Sequence, residues 1–528
     1  MTLDAVELEI LRGSLQSVAK EMGATLGRTA FSPNIKERKD FSCAIFDAEG
    51  EMVSQAEHIP VHLGSMPLSV KESLREFTFT DGDMVLLNDP YWGGTHLPDI
   101  TLITPIFCGD LLGFAACRAH HADVGGKAPG SMPGDSREVF EEGIIIPPVK
   151  LYAHGTLNED IFRLIIRNVR TPEERKGDLK AQVSACEIGK RRIGELVEKY
   201  GHAMITESFG AIMDYSERRM IKKIDEFPTG TYSAHDFMDG DGISDDPVRI
   251  AVIVTTGDST LNFNFQGTDD QREGNINAVY AVTLSCVYYT VRCVTDPRIP
   301  PNAGCYRPLQ IRVPKGCLLN PAHPHAVSAG NVETSQRIVD VLLRAFSQII
   351  PERVVAGCQG TMNNVTIGGT VRGEPFAYYE TIGGGMGARH DRKGIDGVHV
   401  HMSNTLNTPI EALEMTYPFL IREYSLRDDS GGRGKFNGGM GIVRSTRVLT
   451  DCTLSIQSDR RKFAPYGLFG GEDGCRGKNI LIRNGEEIPL PSKTTYQLKK
   501  GDILRIETPG GGGYGSPTHP DRWEGHET

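Results

Sequence analysis

Residues 88–100 read NDPYWGGTHLPDI and residues 117–126 read CRAHHADVGG, with an apolar, strand-like run between them. Asn88, Asp89, Pro90, Gly93, Gly94 and Pro98 are turn formers, so the first piece reads as a loop leaving the buried strand of DGDMVLLNDP. The loop carries His96 and Asp99, three residues apart, a spacing that lets both face one centre from a helix turn or a tight loop. His121, at a later strand end, is the third candidate ligand. Imidazole and carboxylate together suit zinc, iron or manganese. Such a site would sit on a rigid scaffold and stay open to a substrate.

The surroundings strengthen this reading. His58, His62, His96, His120 and His121, with Asp40, Asp89, Asp99 and Asp123, all fall before residue 124, denser than scattered surface polarity. His58 and His62 are four apart, as in HExxH zinc helices, but Pro60 lies between them and the motif glutamate is absent. Hydrogen bonding within a loop that lines the site is their plainer role. Asp40 stands where a loop enters a strand. Its residue type allows a surface ion pair with Arg38 or Lys39, or a fourth ligand position.

Upstream, Asp4 is placed to cap a helix over about residues 5–27, with Leu11, Leu15, Val18, Met22 and Leu26 on one stripe. A hairpin follows, turning at Ala48-Glu49-Gly50, and then a helix from about Leu68 to Phe77. Downstream, residues 124–150 are rich in Gly and Pro, the composition of a functional lid or lining. Asp135, Arg137, Glu141 and Glu142 are candidate polar groups there, beside the commoner role of solvated loop charges. A charged helix runs from Pro172 to Tyr200 and stops at Gly201, and a second covers about Met204 to Ile224. From Pro228 the texture becomes β. Asp239-Gly240-Asp241-Gly242 lacks EF-hand ligands at its later positions and reads as a hairpin turn. Residues 275–295 form an apolar helix, and Thr334 is placed to cap another. Beyond residue 355 the chain is glycine-punctuated β structure. GGGMG at 383–387 lacks the lysine and hydroxyl of a phosphate loop, and no GxxxxGK[ST] occurs, so clustered glycine reads as close backbone packing or a turn.

The fold class expected is mixed α/β (α+β) and multi-domain. A metal-bearing domain would span residues 1–227, a β-rich domain with buried helices 228–518, and a loose tail 519–528. The net charge of −11 argues against sequence-independent nucleic-acid binding. No apolar run reaches the roughly 18 residues of a membrane span. The N-terminus lacks a signal-peptide core, and the 11 cysteines form no CxxC pair, which together fit a cytoplasmic protein.

ERKDFSCAIFD, HIPVHLGSMP, NDPYWGGTHLPDI, RAHHADVGG, HMSNTLNTPIE and TPGGGGYG, in this order along nearly the whole chain, resemble the hydantoinase B / oxoprolinase B family. The resemblance implies the B subunit of an ATP-dependent hydantoinase, 5-oxoprolinase or caprolactamase, with ketone carboxylases as more distant relatives. It implies metal ligands at Asp40, His96, Asp99 and His121, which selects the ligand role for Asp40. It implies a heteromer, expected as a heterotetramer, with an ATP-binding A-type subunit that phosphorylates a cyclic amide. The B chain would complete ring opening at zinc, or at manganese or iron. His120 or Asp123, beside His121, would relay the proton or fix the imidazole tautomer. Three functions compete: cyclic amide hydrolysis, ketone carboxylation, and a non-catalytic subunit stabilised by its metal.

Overall fold

The computed structural model describes residues 3–56 and 59–517. His58 and the expected loose tail lie outside the described residues. The first helix, α1 (Ala5–Thr29), starts on an Asp4 capping box: the Asp4 carboxylate accepts from the N–H groups of Val6 and Glu7, and the Glu7 carboxylate accepts from that of Asp4. Leu11, Leu15, Val18, Met22 and Leu26 are buried along one stripe.

Seven antiparallel strands form the N-terminal sheet: β1 (Phe41–Asp47), β2 (Met52–Ala56), β3 (Met84–Leu87), β4 (Asp99–Cys108), β5 (Asp110–His120), β6 (Val149–Ala153) and β7 (Thr156–Leu157). Their spatial order is β2-β1-β5-β4-β3-β6-β7, which places β4 and β5 centrally. Helix α2 (Pro33–Lys36) precedes the strands, α3 (Ser65–Glu76) falls between β2 and β3, and α4 (Glu159–Arg167), α5 (Pro172–Tyr200) and α6 (His202–Ile224) follow β7. Helices α1 and α5 pack on one face of the sheet, and α3 supplies polar anchors on the other.

The β4–β5 hairpin carries one irregularity that controls the site. Near its tip Phe107 faces Leu111, but Ile106 faces Gly113, so Leu112 is an extra residue on β5. This β-bulge shifts the rest of the register by one, and Asp99 therefore faces His120.

The second sheet holds β8 (Gly230–Met238), β9 (Val248–Gly257), β10 (Thr260–Asn264) and β11 (Leu309–Arg312), flanked by α7 (Tyr280–Val294) and α8 (Ser335–Phe346). β8 and β9 form an antiparallel hairpin, and the turn expected from Asp239 to Gly242 is the first part of the longer loop, residues 239–247, that joins them. Thr334 is not the cap of α8. The chain makes a π-turn over Gly330–Thr334 that runs straight into the helix, and the Thr334 hydroxyl donates to the Ile276 carbonyl instead.

The C-terminal part contributes α9 (Ile410–Thr416) and nine strands: β12 (Asn364–Val371), β13 (Glu374–Glu380), β14 (Phe419–Arg427), β15 (Gly441–Val448), β16 (Cys452–Gln457), β17 (Lys478–Arg483), β18 (Glu486–Leu490), β19 (Lys493–Leu498) and β20 (Ile503–Glu507). They form two sheets, β13-β12-β16-β19 and β14-β15-β20-β17-β18. The glycines of 383–387 and 510–513 pack backbone against backbone: Gly385 N–H donates to Pro509 O at 3.0 Å and Gly439 N–H to Met386 O at 2.8 Å. A Cβ on Gly511 would overlap the Met386 carbonyl, so these glycines serve close packing.

One hydrophobic core runs from Leu11 through Phe114, Val254 and Phe346, and so continues across residue 227. A separate cluster, including Ile367, Phe419, Leu481 and Ile506, lies wholly beyond residue 364. Among the described residues no helix is long and apolar enough to cross a membrane.

Candidate metal centre

Asp99 begins β4 and His120 ends β5, so cross-strand pairing brings them face to face. His96 reaches the same carboxylate from the loop before β4. His96 Nε2 lies 3.4 Å from Asp99 Oδ2, His62 Nε2 3.5 Å from the same oxygen, and His120 Nδ1 3.5 Å from Oδ1. One ligand atom from each of His96, Asp99 and His120 lies within 4.8 Å of the others, and all three residues are buried. The Thr95 hydroxyl donates to Asp99 Oδ2 and helps fix the carboxylate.

Burial opposes a charge on Asp99, but the nearby imidazoles of His96, His120 and His62 overcome it and hold the carboxyl well below its usual range. Burial depresses His120, against the pull of Asp99 and Asp40. The centre therefore combines an ionised carboxylate with a neutral imidazole, the protonation states that ligate metals. Both ring nitrogens of His96 and Nε2 of His120 are buried without a hydrogen-bond partner. Leaving such groups unpaired costs about 1–3 kcal/mol each, and a cation among them would remove that cost. The donor set fits a divalent ion.

The other expected residues fall in three places. Asp40 is 6% exposed and lines the same small cavity, of about 20 Å³, as His62, Asp99 and His120. It is not a surface group: the neighbouring Arg38 is buried and donates to Tyr379 O at 3.2 Å and Thr381 Oγ1 at 2.8 Å. His121 does not join the cluster. It lies one residue beyond His120 and faces α5, where its Nε2 pairs with Gln182 Oε1 at 2.9 Å. Burial, reinforced by Arg175, pushes its pKa down to about 4. Asp123 fastens the following loop: it accepts from the N–H groups of Gly125 and Gly130, each at 3.1 Å, and pairs with Arg170 at 2.8 Å. The candidate loop groups are likewise engaged. Glu142 is buried and accepts from the N–H groups of Val327 and Ser328. Glu141 pairs with Lys127, Arg137 with Glu273, and Asp135 accepts from Thr495 Oγ1 at 2.7 Å.

Two neighbours complete the surroundings, and only the first was singled out by the sequence reading. His62 was expected to hydrogen-bond within a loop that lines the site. It does bond Ser42 Oγ at 2.9 Å, but its other nitrogen is turned to Asp99. Tyr379, from β13, stacks on His120 with ring centroids 4.5 Å apart and planes 9° apart. Its hydroxyl donates to Asn364 Oδ1 at 2.8 Å, which anchors the ring. A tyrosine some 260 positions away from its histidine leaves no local sequence signal.

A buried cluster of imidazole and carboxylate at strand ends, beneath a glycine-packed C-terminal part, defines a candidate metal-dependent protein of mixed α/β fold. The chain belongs to the hydantoinase B/oxoprolinase family, whose profile matches residues 4–517. It is 47% identical to an uncharacterized protein of Methanocaldococcus jannaschii, over 98% of this chain and 92% of that protein. It is 40% identical to a 5-oxoprolinase of Saccharomyces cerevisiae over 98% of its length, but spans only 42% of the yeast protein. Among solved structures, the ATP-dependent caprolactamase from Pseudomonas jessenii superposes with a TM-score of 0.92 at 29% identity, covering 98% of this chain and 92% of that one. An acetone carboxylase structure shares the fold, with a TM-score of 0.86 at 21% identity over 97% and 75% of the two chains.

Proposed function

We propose that this chain is the metal-bearing B subunit of an ATP-dependent cyclic amidohydrolase that opens a hydantoin, 5-oxoproline or lactam ring. The observation that carries this reading is the buried cluster of His96, Asp99 and His120 with unpaired imidazole nitrogens. Those three residues would hold the ion, with Asp40 facing the same cavity. In this assignment His120 takes the ligand role expected of His121, while His121 and Asp123 serve the scaffold. Zinc suits the donors, and manganese or iron are alternatives.

A divalent ion there would supply Lewis acidity toward a water or a carbonyl oxygen. The chain itself does the rest. Asp99 supplies the anionic donor, His62 and Thr95 hold its Oδ2 in place, and the Tyr379 ring fixes the plane of His120. An amide is a poor electrophile, so the ring must be activated first. The sequence carries no phosphate loop, and we assign that phosphorylation to an ATP-binding A-type partner in a heterotetramer.

Ketone carboxylation is the second reading, favoured by the fold shared with acetone carboxylase. The test is reconstitution with an A-type subunit, in metal-stripped and metal-reloaded form, on hydantoin, 5-oxoproline, caprolactam, and acetone with bicarbonate. Metal-dependent ring opening with ATP consumption is expected. Carboxylation alone would select the second reading, and full turnover by metal-stripped protein would leave only a structural metal.

A further inference from the structure

Next to the metal cavity lies a larger one, of about 510 Å³. The two adjoin at two places: Ser403 lines both, and Ile59 lines the first where Pro60 lines the second. The larger cavity is of the size that takes a small organic ligand. Its wall is apolar at Tyr289, Leu343, Val355 and Met386, and cationic at Arg353 and Arg389. Among the described residues that line it none is an aspartate or a glutamate, in a chain of net charge −11. Backbone pairing puts the two guanidinium groups on one side. Val355 and Arg389 face each other across an antiparallel bridge, beside which the Ala356 N–H donates to Ala388 O at 2.9 Å, and Arg353 stands two residues before Val355. Diagonal neighbours across such a pair lie about 7–8 Å apart, close enough for two long side chains to meet over one oxyanion. Neither guanidinium is saturated. Arg389 Nε is buried without a hydrogen bond, and Asp391 lies 3.7 Å from it. Arg353 spends one terminal nitrogen on Glu226 at 3.2 Å and the other on Val294 O at 3.4 Å, which leaves donors of its fork to spare. The carboxylate behind the wall at His401, Asp340, is already paired with Arg460 at 2.6 Å.

We propose that this cavity is an anion-binding substrate pocket. Its apolar wall holds a small ring, and Arg389 and Arg353 hold an oxyanion carried on that ring, so that the ring is presented to the metal cavity past Ser403. The inference rests on the cyclic-amide reading above for the nature of the ring, while the site itself rests on the cavity and its two arginines. A guanidinium pairs through its fork with a carboxylate or a phosphate alike. The oxyanion therefore has two sources: a carboxylate borne by the ring, or the phosphoryl group added when the ring is activated. A pocket of this kind discriminates against a neutral ring, because binding one would desolvate the guanidinium groups without giving them a counter-charge.

Cys293 offers a local readout, since it is exposed and lies on the cavity wall, whereas the exposed Cys475 does not. The experiment follows alkylation of both thiols by N-ethylmaleimide in the full chain, with 5-oxoproline, caprolactam or inorganic phosphate as the added probe. Protection of Cys293 but not Cys475 is expected, with 5-oxoproline half-effective at a concentration at least about tenfold below that of neutral caprolactam. Arg389→Met should erase that difference, Arg389→Lys should restore part of it, and Arg392→Met, on the same loop but off the wall, should leave it unchanged. Protection by phosphate alone, lost in Arg389→Met, would equally support the pocket and would name the phosphoryl group as the oxyanion. No protection by any probe, equal protection by all three, or protection unaltered by Arg389→Met overturns the proposal. The three probes on the unaltered protein decide the matter even where a variant folds poorly. Because the readout needs neither metal nor turnover, its failure leaves the metal reading standing, and metal-independent ring opening would sink that reading without touching the pocket.

Discussion

His120→Ala and His121→Ala remove neighbouring imidazoles with opposite expected results. Altering a residue that merely supports a ligand costs about 10–100-fold in metal affinity. Loss of the His120 ligand itself should therefore cost at least about a hundredfold, or about 2.7 kcal/mol of metal-linked stability at saturation. In a thermal melt the metal-induced rise in Tm should shrink by a few degrees. His121→Ala instead strands Gln182 Oε1, buried under α5, which costs about 1–3 kcal/mol with or without metal. Its metal-induced rise in Tm should survive intact on a lower baseline. Elemental analysis after desalting gives an independent readout: His121→Ala should stay loaded and His120→Ala should not. Loss of metal from His121→Ala, with full retention by His120→Ala, would refute the facing inferred from the β4–β5 register.

Tyr379→Leu should weaken metal binding about tenfold, read by competition with a chelating dye, because the ring that holds His120 in plane is gone. Glu333 is buried in the π-turn, where burial and the Asp459 field raise it to about 8, above its unfolded value near 4.3. A carboxyl raised on folding contributes stability that is fully present below about pH 4 and lost as pH climbs through about 8. Glu333→Gln should therefore flatten the decline in Tm over that interval, and an unchanged pH profile would contradict the assignment. Gly511→Ala should destabilise by about 3 kcal/mol in a urea titration, since its Cβ would drive apart the packed backbones at Met386.

Where the physics is local, the sequence was a good guide. The charged helix expected from Pro172 to Tyr200 is α5 with those same ends, because a proline at its first position and Gly201 after its last act within one turn. The Asp4 cap, the turn at Asp239–Gly242 and the His96–Asp99 spacing were legible for the same reason. Thr334 misled because a π-turn hides the helix start: the residue is already helical, and its hydroxyl is committed to a distant carbonyl. The ligand role expected of His121 came from the family resemblance, which carries no strand register, and the structure brings the adjacent His120 beside Asp99. Counting back from the hairpin tip without a bulge pairs Asp99 with Ala119 and turns His121 toward the carboxylate. The extra residue at Leu112 reverses that count, and no turn signal announces it.

The bulge also makes the centre sensitive to a change far from it. Leu112 is eight residues from His120, about 27 Å along an extended strand, yet it sets which side of the sheet every residue between them presents. Deleting Leu112 would touch no ligand and leave each one's identity intact. It would nonetheless turn Cys117, Ala119 and His121 into the cavity and press Arg118 and His120 against α5. The hairpin therefore behaves as a two-position selector whose setting is stored as an odd or even residue count. Length changes along β5 should be tolerated in steps of two and fail in steps of one, a pattern that a library of insertions at its outer end would read out directly.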